Sequence, residues 1–260
     1  MTSDVSPKKF QRAVSRHVDA LARSVLTSLR TYPSPDLRAK LSLAASDLAS
    51  LSISSGIFDA EAIMEDLKGR KFSNADIMDY CIPEAALLVG QGWIEDQVSF
   101  WQVSLSGARL YNLVKRISAE WVPSPRSDQR FAVLLVVCRE QTHILGPVLL
   151  ADQLRRANCS VTLVTAETGA ELSSRINQGF YDIVVFSCSS LEVLETATHL
   201  VKHIRQEACV VPPLVLGGPV IDHAENIRET TGVDLVTRDI KKALSLCNRA
   251  VTPMELKVAE

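Results

Sequence analysis

The chain has no uncharged apolar run of about 18 residues, the length a membrane-crossing helix needs, so no transmembrane segment is expected. Its first 30 residues lack an unbroken apolar core followed by a small-residue cleavage site, which leaves a cytoplasmic protein without a secretory signal as the expectation. A basic excess is missing too: the formal net charge is -2. Domains whose main work is gripping phosphate backbones carry a basic patch or stripe, so direct DNA binding is not expected. None of the six cysteines (Cys81, Cys138, Cys159, Cys188, Cys209, Cys247) belongs to a C-x-x-C, and all lie in apolar stretches. They read as reduced, packed thiols, which excludes a zinc site or disulfide frame. There are no internal repeats and no low-complexity tracts.

What is present can fold. Of 260 residues, 47% are hydrophobic and 22% charged, enough for one large domain or two modest ones. Phe10, Val14, Val18, Leu21, Val25 and Leu29 form one stripe of an amphipathic helix over 8–30. His17 borders that stripe, either as a helix-packing residue or as an extra metal ligand. After the break at Tyr32-Pro33-Ser34-Pro35, helices are expected at Leu37–Leu51, Asp59–Leu67, Asn74–Gln91 and Glu95–Trp121. Asn74 is the expected N-cap of the third, Pro83 should bend it, and Trp101 and Leu105 count among the core positions of the fourth. Residues 1–120 thus read as a helical bundle, with an extra helix at 8–30 and a cap bundle over 37–120. The proline-bearing stretch 121–129 reads as a linker.

From residue 130 the texture changes. Strands are expected at Phe131–Cys138, Ser160–Thr165, Ile183–Ser187, Leu214–Gly217 and Asp234–Val236. Helical patterns fall between them, near Pro147–Ala157, Ala170–Gln178, Leu191–Gln206 and His223–Thr230, with a last one from Ile240. That alternation makes 130–260 a flavodoxin-like α/β domain on a five-stranded parallel sheet. No G-x-G-x-x-G follows the first strand, which excludes the common dinucleotide site. Cys138-Arg139-Glu140 lacks the acidic cluster a receiver domain needs there. His199 and His203 share a helix face at i, i+4 but lack a third ligand, so solvated surface is expected for them.

At the carboxyl end of the first strand, where open α/β sheets collect ligands, stands Gln141-Thr142-His143-Ile144-Leu145-Gly146. This resembles the D-x-H-x-x-G loop of the cobalamin-binding domain, with Gln141 in place of the aspartate. The order of bundle, linker and α/β domain is similar to that of corrinoid methyl carriers and cobalamin photoreceptor regulators, from about Ala60 to the end of the chain. The resemblance implies that His143 is the lower axial ligand of cobalt and that Gly146 lets the next helix start close to the corrin. It also implies a slot for the displaced dimethylbenzimidazole tail, lined by a serine after the third strand and a double glycine after the fourth. Ser187, or Ser189 two residues on, fits the first; Gly217 and Gly218 fit the second. Glycine belongs there because a planar base passes between backbone segments only where no Cβ intrudes. A side chain at Gly217 is therefore expected to block the slot while leaving the empty protein nearly as stable. Trp101 resembles the tryptophan that covers the upper corrin face in light-responsive relatives, whereas Tyr111-Asn112 stands where some of them carry Glu-His.

In the family the aspartate accepts from the ligand histidine's second N–H and raises its basicity; such partners are worth about 10–100-fold. Gln141 offers an uncharged acceptor, and Glu140 could replace it after a one-residue loop shift. The weaker donor suits a sensor better than an enzyme cycling cobalt. With the S-x-S after strand three and the Gly107-Ala108-Arg109-Leu110 helix, the chain most resembles the AerR/PpaA family, cobalamin-binding antirepressors of photosynthetic proteobacteria. That implies adenosyl- or hydroxocobalamin as cofactor and, as partner, a separate transcriptional repressor of photosynthesis genes. A corrinoid methyl carrier, or a haem sensor with iron on His143, is the alternative.

Overall fold

The computed structural model describes residues 34–120, 131–141, 143–166 and 168–247. The helix expected at 8–30, with His17, and the linker at 121–129 lie outside them. Four main helices build the first layer: α1 (Pro35–Ile53), α2 (Ala60–Gly69), α4 (Ile82–Ile94) and α5 (Phe100–Ala119). Ser34 caps α1 by accepting from the Leu37 N–H at 3.3 Å, and Pro35 fits the first turn because no N–H is needed there. Leu41, Ala44, Leu48, Leu110, Leu113 and Val114 meet in a closed apolar core.

Two expectations fail in the third helix. Its N-cap is Ser73, not Asn74: Ser73 and Asp76 form a capping box, and Asn74 instead donates its amide to Glu120 at 2.9 Å. Nor does Pro83 simply bend it. The short α3 (Asn74–Asp76) passes into a π-helical turn (Ile77–Cys81) before α4, and the Ile82 N–H reaches back to the Ile77 carbonyl. A proline ring crowds the carbonyl four residues earlier, here that of Asp79, and the wider π turn relieves the crowding. The fourth helix starts at Phe100, not Glu95, because Ser99 and Gln102 form a second capping box. Trp101, one residue in, is 59% exposed and so is not core; Leu105 is only half-buried.

The second layer pair follows the expected pattern. β1 (Phe131–Cys138), β2 (Cys159–Ala166), β3 (Ile183–Ser187), β4 (Leu214–Gly217) and β5 (Leu235–Val236) form one parallel sheet in the order β2-β1-β3-β4-β5. Apolar residues run unbroken along β1 because both faces are covered. Leu134 and Val136 face α7 (Gly169–Gln178), α8 (Leu191–Glu207) and α9 (Ile227–Thr231). Val133 and Leu135 face α6 (Leu145–Arg156) and α10 (Ile240–Leu244). The helix expected at His223–Thr230 starts only at Ile227, as α9, after Asn226 at φ 52°; a separate 3-10 turn (Pro219–Asp222) precedes it. Among the described residues no helix is long and apolar enough to cross a membrane.

The layers are joined through α6. Leu149 is buried in the bundle core, and Leu145 and Val148 pack against it. Toward the other end of α6, Arg156 holds both carboxylate oxygens of Asp79, at 2.6 and 3.0 Å, and Gln153 donates to Asp79 at 3.1 Å. Arg156 also donates through Nε to Asp152 at 2.6 Å, and Ser118 of α5 donates to Asp152 at 3.2 Å. Burial works against the guanidinium's charge, but the hydrogen bonds and charges of Asp79 and Asp152 outweigh it and raise its pKa. Stripping one partner from a buried pair of this kind costs about 3–5 kcal/mol.

Candidate functional site

Strand order reverses between β1 and β3, and ligands of such sheets gather in the crevice outside the carboxyl ends at that point. Val137 of β1 stands in register with Ser187 of β3, which stands in register with Gly217 of β4. The loops carrying His143, Ser187 and the glycine pair therefore leave the sheet side by side.

Between α6, these strand ends and α10 lies a narrow cleft of about 60 Å³. Gly146, Leu150, Gln153 and Leu154 form its α6 wall; Ser187, Gly217 and Gly218 form its sheet side. Thr237, Arg238, Asp239, Ile240 and Ala243 close it from the far side. Ser187 thus lines the cleft, whereas Ser189, also buried, does not; Ser190 caps α8. Gly146 reaches the cleft from the first turn of α6.

The glycines are needed by the backbone itself. Gly218 adopts φ 112°, and a Cβ there would come within 2.2 Å of the Cys188 carbonyl oxygen. A Cβ on Gly217 would meet the Thr237 carbonyl at 2.9 Å. The expectation that a side chain at Gly217 spares the empty protein is therefore wrong: it would push β4 from the loop after β5.

His143 is half-buried on the loop between β1 and α6. Gln141, two residues earlier, is only 5% exposed; its Nε2 donates to the His143 carbonyl at 3.2 Å rather than its oxygen accepting from the imidazole. Gln141 Oε1 is buried with no hydrogen-bond partner, a state that costs about 1–3 kcal/mol. A donor on the neighbouring histidine would satisfy it.

Trp101 lies on the exposed side of α5 and outside the cleft lining. Arg109, from the Gly-Ala-Arg-Leu stretch, spends its guanidinium on the carbonyls of Ser52, Ser54 and Gly56, closing the end of α1. His203 packs under Gly169, where a Cβ would meet its ring at 2.5 Å, while His199 and His223 are exposed. Among the described residues no three histidine, cysteine or acidic side chains group as a metal cage. Sequence reasoning missed Gln153 and the Thr237–Ile240 wall. Neither lies in a motif; only Asp239, whose carboxylate caps α10, carried a local signal.

No family model matches the chain. It is similar to an uncharacterized 20.5 kDa protein in the bchF-crtJ intergenic region of Rhodobacter capsulatus, with 26% identity over 186 residues, 71% of this chain and 97% of that one. Among solved structures, the monomethylamine corrinoid protein of Methanosarcina barkeri superposes with a TM-score of 0.59 at 13% identity, over 83% of this chain and 96% of that one. The two share a fold. A cobalamin-binding protein of Desulfitobacterium hafniense matches with a TM-score of 0.38 at 15% identity, over 81% of this chain and 98% of that one, too loosely to carry an argument.

Proposed function

We propose that this chain is a cobalamin-binding regulator of the AerR/PpaA kind, which acts as an antirepressor by binding a separate repressor of photosynthesis genes. The observation that carries the reading is the convergence of Gly146, Ser187, Gly217 and Gly218 on one cleft at the switch point of the fold shared with the corrinoid protein, with His143 outside the cleft lining on the adjoining β1–α6 loop. The relative's gene lies in a photosynthesis gene region, which supports a regulatory setting.

The residues present fit the group. His143 would hold cobalt through an imidazole nitrogen, and the unpartnered Gln141 oxygen would take up the other ring N–H, fixing the tautomer. Gly146 keeps the start of α6 bare of side chain, and Ser187 places a hydroxyl in the cleft. At about 60 Å³ the cleft is well under the roughly 150 Å³ of an apolar cavity that takes up benzene, so a wall must yield to admit a bicyclic base. Bound cobalamin would supply a metal whose upper ligand can be lost, by illumination or otherwise. The chain's own part is to hold that centre between its layers and to convert the change into two arrangements of the bundle.

A corrinoid methyl carrier is the second reading, favoured by the shared fold with the methylamine protein. Gln141 argues against it, because an uncharged partner leaves His143 the weaker donor. Absorption spectra of the purified chain with adenosylcobalamin, before and after illumination, separate the two. The regulator should retain the corrin and show a light-dependent change that alters repressor binding. A corrin that turns over methyl groups with a methyltransferase partner and leaves repressor binding untouched would sink the regulatory reading.

A further inference from the structure

The bundle carries a groove of its own, about 290 Å³, between α1 and α2; it shares no lining residue with the cleft at the sheet. Leu48 and Leu67 form its buried floor, and Leu51, Ile57 and Ile63 its flanks. Ile57 is 97% exposed and Leu51 47%. Leu43, 68% exposed, stands four residues before Asp47 and eight before Leu51, so all three share one outward face of α1. An apolar strip left open like this is what the stripe of an amphipathic helix covers. The rim is acidic: among the lining residues Asp47, Asp59 and Asp66 face one cation, Arg70, which bridges Asp47 and Asp66 at 2.7 Å each.

The described part of the chain begins at Ser34, the N-cap of α1. Only Thr31-Tyr32-Pro33 separates it from the amphipathic stretch expected over 8–30. Two helices joined by so short a connection lie antiparallel and side by side. As a helix that stretch would be about 34 Å long and the 19-residue α1 is about 28 Å, at 1.5 Å per residue, so the lengths match. Turned back along α1, it brings Leu21 level with Ala44, Val14 level with Leu51, and Phe10 to Ile57. At 3.6 residues per turn Arg12, Arg16, Arg23 and Arg30 fall on the side opposite the apolar stripe.

We infer that residues 8–30 dock as a helix on the α1–α2 groove of their own chain, with Phe10, Val14, Val18 and Leu21 against it and the arginines turned to solvent. Charge agrees with this occupant. The stretch holds Lys8, Lys9, Arg12, Arg16, Arg23 and Arg30 against Asp19 alone, and the rim it meets carries the opposite excess. The short connection favours the chain's own segment over that of a second copy, because a short tether holds it near the groove at about millimolar effective concentration. Nothing in this assignment rests on the cobalamin reading.

Disulfide trapping on the full chain tests it, in a Cys209→Ser background so that no exposed native thiol competes. Leu51→Cys is combined in turn with Val14→Cys, Val18→Cys and Arg16→Cys. Each protein is oxidised with copper–phenanthroline and run on a non-reducing gel. A disulfide needs Cβ atoms about 3.5–4.5 Å apart, so the rate reports which face of the segment meets Leu51. The Val14 and Val18 variants should give a fast-running, cross-linked monomer severalfold sooner than the Arg16 variant. A cross-linked dimer in place of the monomer would hand the groove to a second copy and overturn the inference. Equal rates in all three, the mark of a tether without a seat, would overturn it too, as would no cross-link at all. If the Leu51 variants lose the wild-type far-ultraviolet dichroism, Leu43→Cys with Leu21→Cys, set against Leu43→Cys with Arg23→Cys, makes the same comparison.

Discussion

Under the proposed cobalamin reading, the empty protein and a loaded form would make opposite demands on Gln141. Its buried oxygen has no partner in the empty chain, and in the cobalamin reading proposed above it would accept from His143. Gln141→Leu should therefore leave the melting temperature of the empty protein unchanged or raised, and weaken hydroxocobalamin binding by about 10-fold, the lower end for a lost metal-ligand partner. Calorimetry and a spectral titration on the same preparation check both signs; a parallel loss in the two would show that Gln141 is merely structural. The thiols give a second residue-scale expectation. Cys188 is pushed well above the ordinary thiol range by its hydrogen bond with Cys138 and by burial, and burial pushes Cys81 up to about 12. Only Cys209 is exposed, which corrects the reading of all six as packed. An aromatic disulfide reagent should consume one equivalent of thiol from the native chain at neutral pH and the rest only in denaturant.

At the scale of elements, most of the fold was legible because its periods are strong. β1, β3 and β4 fall on their expected residues, and the alternation of strand and helix fixes a doubly wound sheet. What was not legible depends on contacts between distant residues. The π turn needs Pro83 and the start of a helix read together, the Ser73 cap competes with an equally good Asn74, and Trp101 falls on the face of α5 turned away from Leu110 and Leu113. The cleft was half legible: its sheet side is written in Ser187 and Gly217-Gly218, but its other walls come from α6 and the chain after β5. The glycine pair also serves the fold. Gly218→Ala should destabilise the empty protein by about 1–3 kcal/mol, the cost of a residue forced into a sparsely populated backbone region. Chemical denaturation measures it; an unchanged midpoint would mean that β4 can shift freely from the Cys188 carbonyl.

For the whole molecule, the proposed antirepressor role would act through protein contacts. With a net charge of -2, the chain should not bind operator DNA at physiological salt, where affinity rests largely on neutralised phosphates. Residues 8–30 carry Lys8, Lys9, Arg12, Arg16, Arg23 and Arg30 against a single acid, Asp19, and we propose that this basic excess steers association with an acidic partner. Deleting residues 1–31 should leave the cobalamin spectrum unchanged and weaken repressor binding, most at low salt. Undiminished binding by the truncated chain would move the contact surface elsewhere.

In the proposed function one loop histidine, His143, holds a corrin at the switch point of this sheet. Gel filtration of the full chain with hydroxocobalamin, beside His143→Ala, tests it most directly. Because His143 is a half-buried loop residue, the variant should keep its fold, with an unchanged far-ultraviolet dichroism spectrum. Corrin absorbance should then co-elute with the wild-type chain and be lost from the variant; co-elution with neither, or equally with both, would contradict the account.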